Sequence, residues 1–193
     1  FDNISWNESI KELHKPENIG LYKKKFYQRL AYDEIFSTFL VNSEIRKKIK
    51  RIKKTNKYID INKQNKIIDN LEFSLTNDQL KALDEINNDL LSQRKMFRLL
   101  QGDVGSGKTI VSLLTALNTV NSGFQVAFMA PTEILARQHF NLAKKIFPKN
   151  ICVNLISGKS NYNDKKRVLN ELSNNKIDLI FGTHAIFQKK VIF

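Results

Sequence analysis

Gly102-Asp103-Val104-Gly105-Ser106-Gly107-Lys108-Thr109 sets two glycines, Gly102 and Gly107, on either side of four residues and follows them at once with a lysine and a hydroxyl residue. The apolar run Met96 to Leu100 reads as a strand leading in, and the spacing from Lys108 to Val120 reads as a helix leading out. Loop N–H groups and the helix N-terminus would then converge on a phosphate chain. Glycine serves there because the backbone needs positive φ and close approach without a Cβ. Gly102, Asp103, Val104, Gly105, Ser106 and Gly107 form the expected cradle, Lys108 would reach the terminal phosphates as a point charge, and Thr109 would hold Mg²⁺. Lys108 and Thr109 are thus the expected catalytic pair. The plain alternative is a glycine-rich turn.

Outward from this loop, strand-like runs alternate with helical patterns. Leu80, Leu83, Ile86 and Leu90 mark a helix with Thr76 or Asn77 as its cap. Gln125 to Ala130 reads as a strand that leaves sharply at Pro131, and a helix opens at Thr132 and runs to Ile146. Strand 151–156, helix 162–172 and strand 177–181 complete the series. Four strands with helical crossovers predict an α/β fold, a parallel sheet with helices on both faces, and ligands beyond the carboxyl ends of its strands.

Three further positions carry candidate chemistry. The Gln79 carboxamide sets a donor beside an acceptor, matching the amino group and ring nitrogen on one edge of adenine, with Phe73 as a stacking surface. The stretch 76–79 is equally an ordinary helix start. Pro131, Thr132 and Glu133 follow a strand end directly before a helix, where unpaired N–H groups could hold a nucleic-acid phosphate or simply begin a capped helix. Gly182, Thr183 and His184 pose the same choice, and no catalytic role is assigned to His184.

Residues 1–72 differ in character from 73–193. Apolar spacing predicts a helix over roughly 23–41, followed by a second basic helix or an extended arm. Arg46, Lys47, Lys48, Lys50, Arg51, Lys53, Lys54 and Lys57 crowd a stretch without an acid, and Lys47, Lys50 and Lys54 are the expected DNA contacts. The whole chain carries 32 cations against 19 acids, a net charge of +13, which favours a polyanionic partner. A competing origin is codon drift: 25 of the 32 cations are lysine, and asparagine and isoleucine each occur 21 times. On that reading the cluster is a solvated face.

Apolar runs are far shorter than the roughly 20 residues that cross a bilayer. One cysteine, Cys152, excludes an internal disulfide framework and a cysteine-built zinc site, and reads as a small core residue on its strand. Because the chain starts at Phe1 and holds only Met96 and Met129, it reads as a fragment of an intracellular protein.

Four ordered blocks resemble the RecG family of superfamily-two DNA helicases. They are Phe73-Ser74-Leu75-Thr76 with Gln79, Arg98 to Thr109, Met129 to His139, and Gly182-Thr183-His184-Ala185-Ile186-Phe187-Gln188. The phosphate loop alone is shared with transcription-repair coupling factors, a second resemblance. Residues 6–40 are similar, more loosely, to the helical connector ahead of the RecG motor. The resemblance implies the N-terminal part of a RecA-like P-loop motor domain over 73–193, ending before its acidic Walker B box and preceded by a basic helical connector over 1–72. It implies ATP and Mg²⁺ as cofactors, branched DNA as partner with no obligate protein partner and no membrane, and a bacterial cytoplasmic, nucleoid-associated location.

By the same resemblance, Gln79 would read adenine, residues 102–109 would hold the phosphates, and 131–133 and 182–184 would contact DNA. Ile156-Ser157-Gly158-Lys159 would be another backbone-contacting segment. The family's Asp-Glu-x-His box, its second motor domain with an arginine finger and its DNA-splitting wedge do not occur within these 193 residues, so the segment alone is expected to bind nucleotide without turning it over. A rival reading is a nucleotide-gated DNA-binding module or inactive paralogue.

Overall fold

In the computed structural model, which describes residues 4–15, 21–55, 57–156, 158, 161–188 and 191–193, three strands pair in parallel. They are β1 (Val126–Met129), β2 (Val153–Ile156) and β3 (Leu179–Gly182), in the order β1-β3-β2. The central strand reads Leu179-Ile180-Phe181 without a polar break because it is buried on both sides. Leu179 and Phe181 join one apolar cluster and Ile180 joins the other.

The first cluster gathers Leu83, Ile86 and Leu90 from α4 (Asn77–Leu91) with Ile110, Leu113, Leu114 and Leu117 from α5 (Lys108–Asn121). Ala143 of α6 (Glu133–Ile146) and Phe147 just beyond it also belong there. The second cluster sets Val168 and Leu172 of α7 (Tyr162–Ser173) and Ile186 of a 3-10 turn (His184–Phe187) against Ile156 and Ile180. Helices therefore cover both faces, as the alternation of elements requires.

One expected strand does not form. Residues 96–100 pair with no strand among the described residues; Met96 and Leu100 pack on the core, while Phe97 and Leu99 stand 66% and 81% exposed. A strand needs a neighbour to complete its ladder.

The chain divides into two compact units, Phe1–Ile52 and Lys53–Phe193, ahead of the boundary read from the sequence. Residues 53–72 fall on the second side because Ile59 and Ile67 enter the first cluster. Within this stretch α3 (Ile61–Asp69) brings in Gln64, whose Oε1 accepts from Asn87 Nδ2 at 2.9 Å and Asn118 Nδ2 at 2.6 Å. Three buried amides thereby join α3, α4 and α5.

The first unit holds α1 (Trp6–His14), capped by Ser5, and the 31-residue α2 (Leu21–Arg51). Buried Ser9 and Phe26 lie on these two helices. The expected helix over 23–41 runs on to Arg51 because residues 42–51 contain neither glycine nor proline, and their lysines and arginines are good helix formers. The start of the basic cluster is therefore the last turns of α2, rather than a separate helix or arm. Among the described residues no helix is long and apolar enough to cross a membrane, and no three potential metal ligands cluster.

Candidate nucleotide site and strand-end face

The glycine-rich loop 102–109 is anchored by the helix it opens. Helix α5 buries Ile110, Val111, Leu113, Leu114 and Leu117, so its N-terminus is fixed against the core. Gly107 caps it at φ +78° and supplies no side-chain bond; of the first-turn N–H groups, Ile110 N donates to Gly107 O at 3.1 Å. Gly105 adopts φ +85°, the second left-handed position. Lys108 Nζ donates to Gly102 O at 2.7 Å, Asp103 O at 2.5 Å and Ser106 Oγ at 3.3 Å. The ammonium thus sits on the loop itself, and Thr109 is half-buried in the first turn of α5.

Gln79 lies beside this loop and is already engaged. Thr76 N donates to Gln79 Oε1 at 2.9 Å and Gln79 N donates to Thr76 Oγ1 at 3.3 Å, a reciprocal cap on α4. The remaining donor, Gln79 Nε2, reaches Ser106 O in the glycine-rich loop at 2.9 Å. That tie was not legible in the sequence, because 27 residues separate its partners. A Cβ on Gly107 would fall 2.2 Å from Gln79 Nε2, so this glycine is needed for contact as well as for φ. Exposed Phe73 lines a hollow of about 470 Å³ with Ile68, Leu71, Leu75 and Leu80, next in sequence to Gln79.

A second feature is the carboxyl edge of the sheet. Met129, Gly182 and Ile156 lie in register, so the segments after all three strands emerge together. Ala130 N donates to Gly182 O at 2.9 Å, holding the first two side by side. Pro131 and Thr132 are exposed; Thr132 Oγ1 accepts from Leu135 N at 3.3 Å and caps α6, while Glu133 lies 3.5 Å from Arg137. Thr183 begins the 3-10 turn without a side-chain cap, and His184 is exposed. Ser157 and Lys159 lie outside the described residues; Gly158 lies near Glu133, whose Oε2 would be 3.8 Å from an added Cβ.

Gly182 has no room for a side chain. A Cβ there would lie 2.8 Å from both Ile156 O and Ile186 Cγ1, a ladder carbonyl and a buried side chain. Gly182→Ala is therefore expected to destabilise the chain by about 1–3 kcal/mol. The check is a lowered urea midpoint at unchanged slope; a wild-type midpoint would show that the strands part freely.

The basic cluster separates into different kinds of lysine. Lys47 is exposed and paired with Glu44 at 2.9 Å on α2, whereas the Lys50 side chain lies outside the described residues. Lys54, also an expected DNA contact, is already engaged within the chain: its Nζ donates to Asp89 O at 2.9 Å and Leu90 O at 3.1 Å. It caps the last turn of α4, which has no basic residue of its own. Burial and the neighbouring Lys57 lower its pKa, while Asp89 opposes them. Cys152 corrects the expectation of a small core residue: it is exposed just before β2 rather than buried on it. Its thiol pKa is raised by desolvation, then by Asp178 and Glu171, against Lys144, which leaves it less reactive. His139 packs 5.4 Å from the Phe128 ring, and burial lowers its pKa.

A family profile described as DEAD/DEAH box helicase matches residues 76–192, from the cap of α4 to beyond β3 and the 3-10 turn that follows it. The chain belongs to the DEAD/DEAH box helicase family. Within that helicase family it is similar to the ATP-dependent DNA helicase RecG of Borreliella burgdorferi, 42% identical over all of this chain and 28% of that protein. RecG of Thermotoga maritima is 42% identical over 94% of this chain and 23% of its own length. A solved structure of RecG bound to a three-way DNA junction superposes with TM-score 0.76 at 40% identity, covering 96% of this chain and 26% of that one. The chain thus spans about a quarter of these relatives, and the RecG resemblance and the RecA-like helicase fold are borne out.

Proposed function

We propose that this chain is the nucleotide-binding part of an ATP-dependent DNA helicase that remodels branched DNA such as stalled forks and recombination junctions. The observation that carries the reading is the phosphate loop seated on α5, with Lys108 held over it. It occurs in a chain 40% identical to a RecG whose structure holds a three-way DNA junction. Two left-handed glycines and a helix start free of side-chain caps fit a phosphate chain.

Lys108 would bind the terminal phosphates by exchanging the loop carbonyls for phosphate oxygens. Phe73 and the hollow beside it would take the adenine ring, and Gln79 Oε1 would read its amino group by releasing Thr76 N, while Nε2 keeps Ser106 O. Thr109 would hold Mg²⁺, which, when bound, neutralises charge on the phosphates. The in-register strand ends at Pro131, Thr132 and Glu133 and at Gly182, Thr183 and His184 would meet DNA phosphates chiefly through the backbone N–H groups that follow Pro131, which has none, and those of 182–184, since the Thr132 hydroxyl is engaged in its cap. Lys47 and Lys50 would contact phosphates separately, from α2. On this reading the protein works on the bacterial nucleoid with no obligate protein partner.

The test is ATP hydrolysis by the whole protein as encoded, with a three-way junction or a linear duplex of equal length added. Stronger stimulation by the junction supports the reading. Hydrolysis indifferent to DNA form would contradict it, and its absence would favour an inactive, nucleotide-gated module. Lys47→Glu should lower the slope of log affinity against log salt by about 0.9 for each phosphate it no longer neutralises, whereas Thr183→Ala should weaken binding at unchanged slope.

A further inference from the structure

Residues 96–101 approach the phosphate loop without a ladder partner among the described residues, so something other than sheet hydrogen bonds must fix them. Arg98 does so. Its Nε donates to Asp89 Oδ2 and its Nη1 to Glu85 Oε2, both at 2.7 Å. The two carboxylates are four residues apart on α4 and so project from one face of it. One guanidinium spans both in a fixed planar fork, which a lysine could not reproduce.

The same helix holds the far side of the loop. Gln79, in the first turn of α4, reaches Ser106 O, while Glu85 and Asp89, in its second half, hold the chain four residues ahead of Gly102. Helix α4 therefore brackets the loop at its approach and at its exit. Lys54 adds a third attachment by capping the turn that presents Asp89.

We propose that Arg98 is a positioning residue for nucleotide binding, which locks the phosphate loop to the helix that carries Gln79 so that base and phosphates are met at a fixed separation. This rests on the nucleotide reading above. Arg98 touches no part of the ligand; it acts through the alignment of two groups that do. If the bracket loosens, the phosphates can still bind, but the base is no longer presented to Gln79 at the right distance. The loss should therefore fall more heavily on ATP, whose base fits, than on GTP, whose base does not.

The test measures ATP and GTP affinity with Mg²⁺ by calorimetry on the 193-residue chain and its variants Arg98→Gln, Arg98→Lys, Asp89→Asn, Gln79→Ala and the double variant Gln79→Ala/Arg98→Gln, each checked for folding by thermal melting. Arg98→Gln is expected to weaken ATP about fivefold and GTP about twofold or less, with Asp89→Asn following the same pattern and Arg98→Lys recovering part of the loss. The double variant should lose less than the product of the two single losses, because both act on one alignment. Equal weakening of ATP and GTP, or unchanged affinity in a folded Arg98→Gln chain, would overturn the proposal and leave Arg98 a purely structural ion pair. A wild-type chain that binds neither nucleotide would overturn the nucleotide reading first, and the proposal with it.

Discussion

Lys108→Ala is expected to weaken ATP binding about a hundredfold while leaving the fold intact. The charged bonds that a phosphate would make to this ammonium are each among the stronger kinds of hydrogen bond. Removing the amine takes nothing from the core, since its bonds go to Gly102 O, Asp103 O and Ser106 Oγ, all in the loop. Titration of ATP into wild type and variant, beside their melting curves, separates the two effects. Affinity within about threefold of wild type would show that the loop does not hold phosphates, and a large fall in melting temperature would show that the amine holds the fold.

Gly107→Ala should be nearly as damaging, by a different route. An alanine at φ +78° incurs the left-handed penalty of about 1–2 kcal/mol, and its Cβ would lie 2.2 Å from Gln79 Nε2. Gln79 must then leave Ser106 O, so both stability and ATP affinity should fall, by about tenfold or more in affinity. Gly105→Ala is the internal control, because its φ is +85° but no atom lies within 4 Å of the added Cβ. It should show the conformational penalty alone. Equal losses in the two variants would mean that the contact between Gln79 and the loop contributes nothing.

What the sequence revealed was local in origin. The glycine spacing of the loop, the apolar helix behind it, the uninterrupted core strand Leu179-Ile180-Phe181 and the cap at Thr132 are each set by residues within one turn or one strand. The strand-end face followed from these, because parallel strands with helical crossovers bring their carboxyl ends to one edge. What stayed hidden depends on partners far along the chain. Lys54 looked like one more cation in a basic run, yet it caps a helix 35 residues away. Gln64, Asn87 and Asn118 are ordinary amides in a chain rich in asparagine, and only the packing of three helices buries them together. Residues 96–100 have a strand's composition, but a strand is defined by its neighbour.

If nucleotide bound at Lys108 drives the remodelling of branched DNA, the whole protein as encoded should separate the strands of a labelled three-way junction only when it can hydrolyse that nucleotide. The decisive assay follows strand separation with ATP, with a non-hydrolysable analogue, and with ATP and the Lys108→Ala variant. Separation is expected from the wild type with ATP alone, and none with the analogue or the variant. Separation of similar extent in all three would contradict this, as would a wild-type protein that binds the junction but never opens it.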